Sequence, residues 1–262
     1  YALSKLQVGQ HSTALGYEAG QYASGSQNTF VGSQAGKGGT TSAPYSTGPG
    51  NTAVGKNALV AFTTGEANVA VGQNALSANT TGYYNTAVGD HAGVGITTGV
   101  SNVAIGRATL YVNTTGQQNT AVGYSALNKI TVGTDSTAIG SDAGQYATGS
   151  YNTFVGSDAG KGGTTSAPYS SGQYNTALGY QALTAFTTGN YNVALGEGAG
   201  KTLTTGGGNV LIGRHTGDQI VSGEDNTMVG YAAGHQATGN RNVLIGYLAG
   251  DGITTGANNT GL

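Results

Sequence analysis

The sequence predicts an all-β protein, a parallel β-roll or β-solenoid with about 17 residues per coil. A five-residue unit recurs in phase: Asn51-Thr-Ala-Val-Gly55 returns as Asn68-Val-Ala-Val-Gly72, Asn85-Thr-Ala-Val-Gly89, Asn102-Val-Ala-Ile-Gly106 and Asn119-Thr-Ala-Val-Gly123, 17 residues apart each time. A fixed period of this length is the mark of a stacked repeat architecture. Glycine is abundant, 49 of 262 residues, and falls at two fixed places in each repeat. Charged residues make up only 8% of the chain and the net charge is -2, whereas disordered chains combine low hydrophobicity with high net charge. A thin, ordered structure fits these facts better than a thick core or a random coil.

Fourteen copies begin at Ser12, Asn28, Asn51, Asn68, Asn85, Asn102, Asn119, Ser136, Asn152, Asn175, Asn192, Asn209, Asn226 and Asn242. A fifteenth starts at Asn259. Three steps are 16 residues long and two are 23. The long steps carry matching insertions, 37–48 and 161–172, within segments 21–48 and 145–172 that are nearly identical. Duplication of a block of about seven coils explains this. The expected organisation is a lead-in segment, 1–11, followed by one repeat domain, 12–262, made of blocks 12–135 and 136–259. The chain starts at Tyr1 and stops inside the motif at Asn259-Thr260, which reads as a segment of a longer protein.

Counting each repeat from its Asn as position 1, positions 2 to 4 suit a short strand with alternate side chains on opposite faces. Gly at position 5 permits a tight corner. A second Gly, usually after Thr-Thr as in Thr63-Thr64-Gly65, marks another corner. Two short strands and two corners are therefore expected per coil, with Asn at position 1 bonding nearby backbone and tolerating left-handed geometry. Helix is disfavoured, since interior Gly costs about 1 kcal/mol relative to Ala.

Position 4 is always Val, Ile or Leu, and these larger residues are expected inside the coil: Leu15, Val31, Val54, Val71, Val88, Ile105, Val122, Ile139, Val155, Leu178, Leu195, Ile212, Val229 and Ile245. Position 3 then points outward, yet it is apolar too, as at Ala14, Phe30, Ala53, Ala87, Ala121, Phe154, Ala194, Leu211, Met228 and Leu244. A strand apolar on both faces is expected to be buried on both. Position 3 is accordingly expected to form the interface of a homotrimer.

The Asn-[Thr/Val]-Ala-[Val/Ile/Leu]-Gly-x-x-Ala unit resembles the head repeat of YadA-like trimeric autotransporter adhesins. The longer unit, Asn68 to Gly82, resembles repeats of phage tail fibres and related surface fibres, many of which end in an endosialidase-type intramolecular chaperone. The resemblance spans residues 12–260 and implies a left-handed β-roll packed in threes, in an extracellular fibre on a virion or cell surface. The chain departs from the adhesin pattern in its 17-residue step.

Composition narrows the partners. Nine thinly spread basic residues cannot supply the positive footprint that nucleic acid needs. No apolar run approaches the roughly 18–20 residues of a membrane-spanning helix, so no membrane insertion is expected in this segment. Without cysteine there are no disulfides or thiolate metal sites.

Catalytic and cofactor readings find no support. His11, His91, His215 and His235 are expected at the surface, without acidic partners at metal-ligand spacing. Gly196-Glu-Gly-Ala-Gly200-Lys201-Thr202 imitates a phosphate loop but has three intervening residues where four are required. No nucleophilic triad is legible. The chain is expected not to be an enzyme and to need no metal or cofactor. The insertions are the expected contact sites for a cell-surface glycan or protein receptor, through Pro44, Tyr45, Pro168 and Tyr169, because loops on a rigid scaffold often carry function. A structural spacer without receptor contact and an ice-binding solenoid using the Thr-Thr-Gly files are the alternatives.

Overall fold

The computed structural model describes residues 9–39, 45–163 and 168–262. Two compact units emerge, Tyr1–Thr134 and Asp135–Leu262. The division falls beside the edge of the duplicated block. The first unit holds β1 (Thr13–Leu15), β2 (Thr29–Val31), β3 (Thr52–Val54), β4 (Val69–Val71), β5 (Thr86–Val88), β6 (Val103–Ile105) and β7 (Thr120–Val122). The second holds β8 (Thr137–Ile139), β9 (Thr153–Val155), β10 (Thr176–Leu178), β11 (Val193–Leu195), β12 (Val210–Ile212), β13 (Thr227–Val229), β14 (Val243–Ile245) and β15 (Thr260–Gly261). Within each unit consecutive strands pair in parallel, and the pairing register is the repeat register: Thr52, Ala53 and Val54 face Val69, Ala70 and Val71. The all-β solenoid of about 17 residues per coil is thus the observed fold.

Among the described residues each of the first fourteen coils contains one three-residue strand, not two, and β15 in the fifteenth has two residues. The Thr-Thr segment is bonded between coils without being a regular strand, as in Thr63 N–H to Thr80 O at 2.8 Å. Extended backbone is interrupted at positions 7 and 9, where Asn57 (φ 58°), Leu59 (φ 50°), Asn74 (φ 56°) and Leu76 (φ 49°) are left-handed. Such residues are uncommon outside Gly and Asn. Here hydrogen bonds to the adjacent coil hold them, including Asn74 N–H to Lys56 O at 2.9 Å and Leu59 N–H to Ala75 O at 2.9 Å.

The two faces of the strand are the reverse of the sequence expectation. Position 3 points inward: Phe30, Ala53, Ala87, Ala121, Phe154, Ala194, Leu211, Met228 and Leu244 are buried in their own chain, and Ala14 in the first coil is half-buried. None of them is available as an outer interface. Position 4 points outward. Leu15, Val54, Val88, Ile105, Ile139, Leu178, Leu195 and Ile245 are exposed, and Val31, Val71, Val122, Val155, Ile212 and Val229 are half-buried.

The physical reason lies in the narrowness of the coil, since position 3 shares its interior with position 9. Wherever position 3 is large, position 9 is Gly: Phe30 with Gly36, Phe154 with Gly160, Leu211 with Gly217, Met228 with Gly234 and Leu244 with Gly250. Wherever position 9 is Leu, position 3 is Ala, as in Ala53 with Leu59 and Ala177 with Leu183. Where both are small, position 12 of the same coil and the neighbouring coil fill the space. A Cβ on Gly93 would stand 3.0 Å from Leu76 Cδ2 and 3.0 Å from Ile96 Cδ1. Protein interiors hold near-constant packing density, so a core this thin accepts one large group per site. Position 12 completes it with Phe62, Ile96, Ile130, Phe186, Leu203 and Ile220, all buried.

Asn at position 1 does not adopt the left-handed conformation; the residue before it does, as in Ala67 (φ 51°) and Tyr84 (φ 57°). The Asn side chain instead turns into the core. Asn85 Oδ1 accepts the backbone N–H of Asn102 at 3.0 Å and its Nδ2 at 3.1 Å. Asn102 Nδ2 also donates to Gly116 O at 2.8 Å. Repeated from coil to coil, this makes a buried amide ladder in each unit. Ser136 keeps a weaker version, accepting Asn152 N–H at 3.3 Å.

Candidate functional site

With position 3 buried, the side of the coil that carries apolar groups outward is formed by positions 2 and 4. Val54, Val88, Ile105, Leu178, Leu195 and Ile245 each leave between 37% and 45% of their surface in solvent. They are flanked by Thr or Val at position 2, such as Val69, Val103, Val193 and Val243. Since the strands pair in register, these side chains line up from coil to coil as an aliphatic file within each unit. Isolated exposed apolar residues need no explanation, but contiguous files mark interaction surfaces.

The insertions have matching roots. Tyr45 is half-buried and stacks on Tyr22, with ring centroids 6.2 Å apart, and Tyr169 stacks on Tyr146 at 6.1 Å. Ser46 and Ser170 form parallel bridges with Ala23 and Ala147. Pro168 is exposed, while Pro44 lies outside the described residues. One side of each Tyr is therefore committed to packing the insertion against the coil.

A lysine stands beside each root. Lys37 Nζ lies 2.7 Å from Glu18 Oε2 and 5.8 Å from the Tyr22 ring centroid. The ammonium of Lys37, with help from the Gln34 amide, pulls the Glu18 carboxyl down to about 2. In the duplicate, Lys161 bonds Asp158 at 2.8 Å and lies 3.6 Å from Asp142. The Asp158 carboxylate raises the Lys161 ammonium above its usual value.

Two arrangements escaped the sequence reading. The first is the set of His and acidic groups that coil stacking collects. Asp218 lies 3.5 Å from His215 and 3.3 Å from His235, and Asp251 lies 3.9 Å from His235. Residues one repeat apart touch in a solenoid, a spacing outside the usual metal-ligand patterns. Among the described residues, no group of three or more His, Cys, Asp or Glu side chains is arranged to hold a metal ion. His91 stands apart with Asp90 at 2.8 Å, and His11 is exposed. The second is a file of tyrosines at the left-handed residue before Asn. Tyr151 and Tyr174 stack at 4.9 Å and 3°, and Tyr174 and Tyr191 at 5.0 Å and 4°.

The Gly196–Thr202 segment is a corner of the repeat, with Gly196 at φ 134° and Gly198 at φ 66°. In the Thr-Thr-Gly segments, the first Thr donates its hydroxyl to the next coil, as Thr97 Oγ1 does to Thr114 O at 3.1 Å. No protein-family model matches the chain, and no curated protein matches it. Among the described residues, no helix is long and apolar enough to cross a membrane.

Proposed function

We infer that the chain is a structural and adhesive segment of a homotrimeric extracellular fibre, in which sister chains cover the outward aliphatic file of positions 2 and 4. The observation that carries this reading is the regularity of that file, renewed by an exposed or half-buried Val, Ile or Leu at every coil. Covering what remains exposed of such side chains stabilises by roughly 0.5–1 kcal/mol each. Over the file this reaches on the order of 10 kcal/mol per chain, comparable with the estimated 4–15 kcal/mol that association costs. Long, repetitive burial also slows dissociation, a useful property in an exposed appendage.

Resemblance of the repeat to YadA-like heads and phage tail fibres supports the same reading. In this reading the interface lies on positions 2 and 4, because position 3 is buried in its own chain. The insertions, on the same reading, carry the residues through which the fibre meets a glycan or protein receptor. Repetition in three chains turns weak contacts into avidity. The chain acts by shape and contact and not by catalysis. The test is cell or glycan binding by the wild-type chain and by a Tyr45→Ala, Tyr169→Ala double variant. Binding that falls in the variant supports receptor contact by the insertions, and unchanged binding removes them from it.

A further inference from the structure

The tyrosine file in the second unit ends abruptly. Tyr151, Tyr174 and Tyr191 occupy the residue before Asn on three successive coils, and the next coil has Gly208 there. One face of Tyr191 is covered by Tyr174, with planes within 4° of parallel. The next coil has no side chain at Gly208 to cover the other face; the Asp225 carboxylate of the coil beyond leans over Gly208, and Tyr191 remains 65% exposed against 45% for Tyr174. A groove of about 350 Å³ opens there, lined by Asn190, Tyr191, Thr205, Glu224 and Asp225 beside Gly207 and Gly208. Its size lies at the lower end of the roughly 300–1,000 Å³ usual for small-ligand sites.

We propose that this groove is a saccharide subsite for a neutral pyranose. The uncovered aromatic face offers a flat apolar platform for the C–H face of a sugar ring. The polar groups at its edge match hydroxyls: Glu224 and Asp225 as charged acceptors, and Thr205 as donor and acceptor. Asn190 is held in place, its Oδ1 accepting Gln173 N–H at 2.7 Å. The two carboxylates also set specificity. Arg241 lies 4.0 Å from Asp225 and offsets one of them, so the groove stays acidic and rejects uronic or sialic acids. The inference rests on the attachment reading above and supplies its ligand class.

The chain itself provides well-tolerated variants. Gly208→Tyr extends the tyrosine file and covers the open face, at a coil position where Tyr84, Tyr151, Tyr174 and Tyr191 already sit at φ 57–60°. The one close approach of an added Cβ is to Asp225 Oδ1, at 2.5 Å, the movable end of a side chain, while Asp225 Cγ and Cα stay at 3.6 and 3.7 Å. Tyr191→Ala copies Ala67, which holds the same coil position. Saturation-transfer NMR with cellotriose, chitotriose and maltotriose, and with tri-galacturonate as the anionic comparator, tests the site. Transfer to the ring hydrogens of at least one neutral trisaccharide, weakened about tenfold or more in both variants, is expected. No transfer to any neutral sugar, equal transfer in Gly208→Tyr, or preference for tri-galacturonate overturns the proposal. Solution mass on the same samples separates the two readings. A trimer without saccharide transfer loses the subsite alone, and a monomer with transfer keeps the subsite and loses the assembly.

Discussion

The ring of Phe30 fills the space that a side chain on Gly36 would need; a Cβ there would clash with Phe30 Cδ1 and Cε1. The same relation links Phe154 and Gly160, and its inverse links Ala53 and Leu59. The prediction is strong non-additivity. Phe30→Ala should destabilise the protein by about 3–5 kcal/mol. Gly36→Leu should also destabilise it, by forcing a side chain into an occupied core. The double variant recreates the Ala53–Leu59 pairing and should melt well above either single one. Thermal denaturation followed by circular dichroism measures all three.

The amide ladder predicts a graded series at one position. Asn102→Ala removes the acceptor of Asn119 N–H, now held at 3.1 Å, and the donor to Gly116 O. An orphaned buried group costs about 1–3 kcal/mol. Asn102→Ser should cost less, since Ser136 keeps part of the ladder in its own coil. Amide hydrogen exchange at Asn119 should be fastest in the Ala variant, slower in the Ser variant and slowest in the wild type.

Two positions invite stabilisation. Asn79 and Asn113 are buried among apolar residues, and among the described residues their side-chain nitrogens and oxygens have no hydrogen-bond partner. Ile96, Ile130 and Ile220 stand at the same coil position. Asn79→Ile and Asn113→Ile should each raise stability, by about 1–3 kcal/mol from removal of the orphaned amide. Denaturant melts should show a higher midpoint for each variant.

The insertion root should respond to acid. The folded-state carboxyl of Glu18 is depressed to about 2 by Lys37 and Gln34, below an unfolded value of about 4.3. Its contribution is therefore present above about pH 4.3 and is lost as pH falls toward 2. In Lys37→Met the Glu18 titration midpoint should move upward toward the unfolded value, as read by carboxyl carbon NMR. An unchanged midpoint would place the cause elsewhere.

Much of the fold was legible in the sequence because a solenoid writes its geometry as a period. Strand position, parallel pairing and register all follow from the spacing of Asn51, Asn68 and Asn85. Which face lay inside did not follow, since Ala53 and Val54 are both apolar and alternation alone gives no sign. The larger residue was expected within; the interior instead admits the smaller one, with volume supplied by Leu59 across the coil. The reciprocal pairing of positions 3 and 9 was the signal that settles it. The acidic and His groups around Asp218 were hidden for another reason, because contact between residues one coil apart does not look local in sequence. The tyrosine file was equally readable in principle, and the insertion tyrosines proved half-committed to Tyr22 and Tyr146.

Solution mass by light scattering tests the assembly most directly, on the wild-type chain and on a Val88→Glu, Ile105→Glu variant. Sister chains covering positions 2 and 4 predict a wild-type mass of three times 25.8 kDa, and a variant that keeps its β circular dichroism while falling toward one chain. A wild-type particle of 25.8 kDa at every concentration would contradict the account.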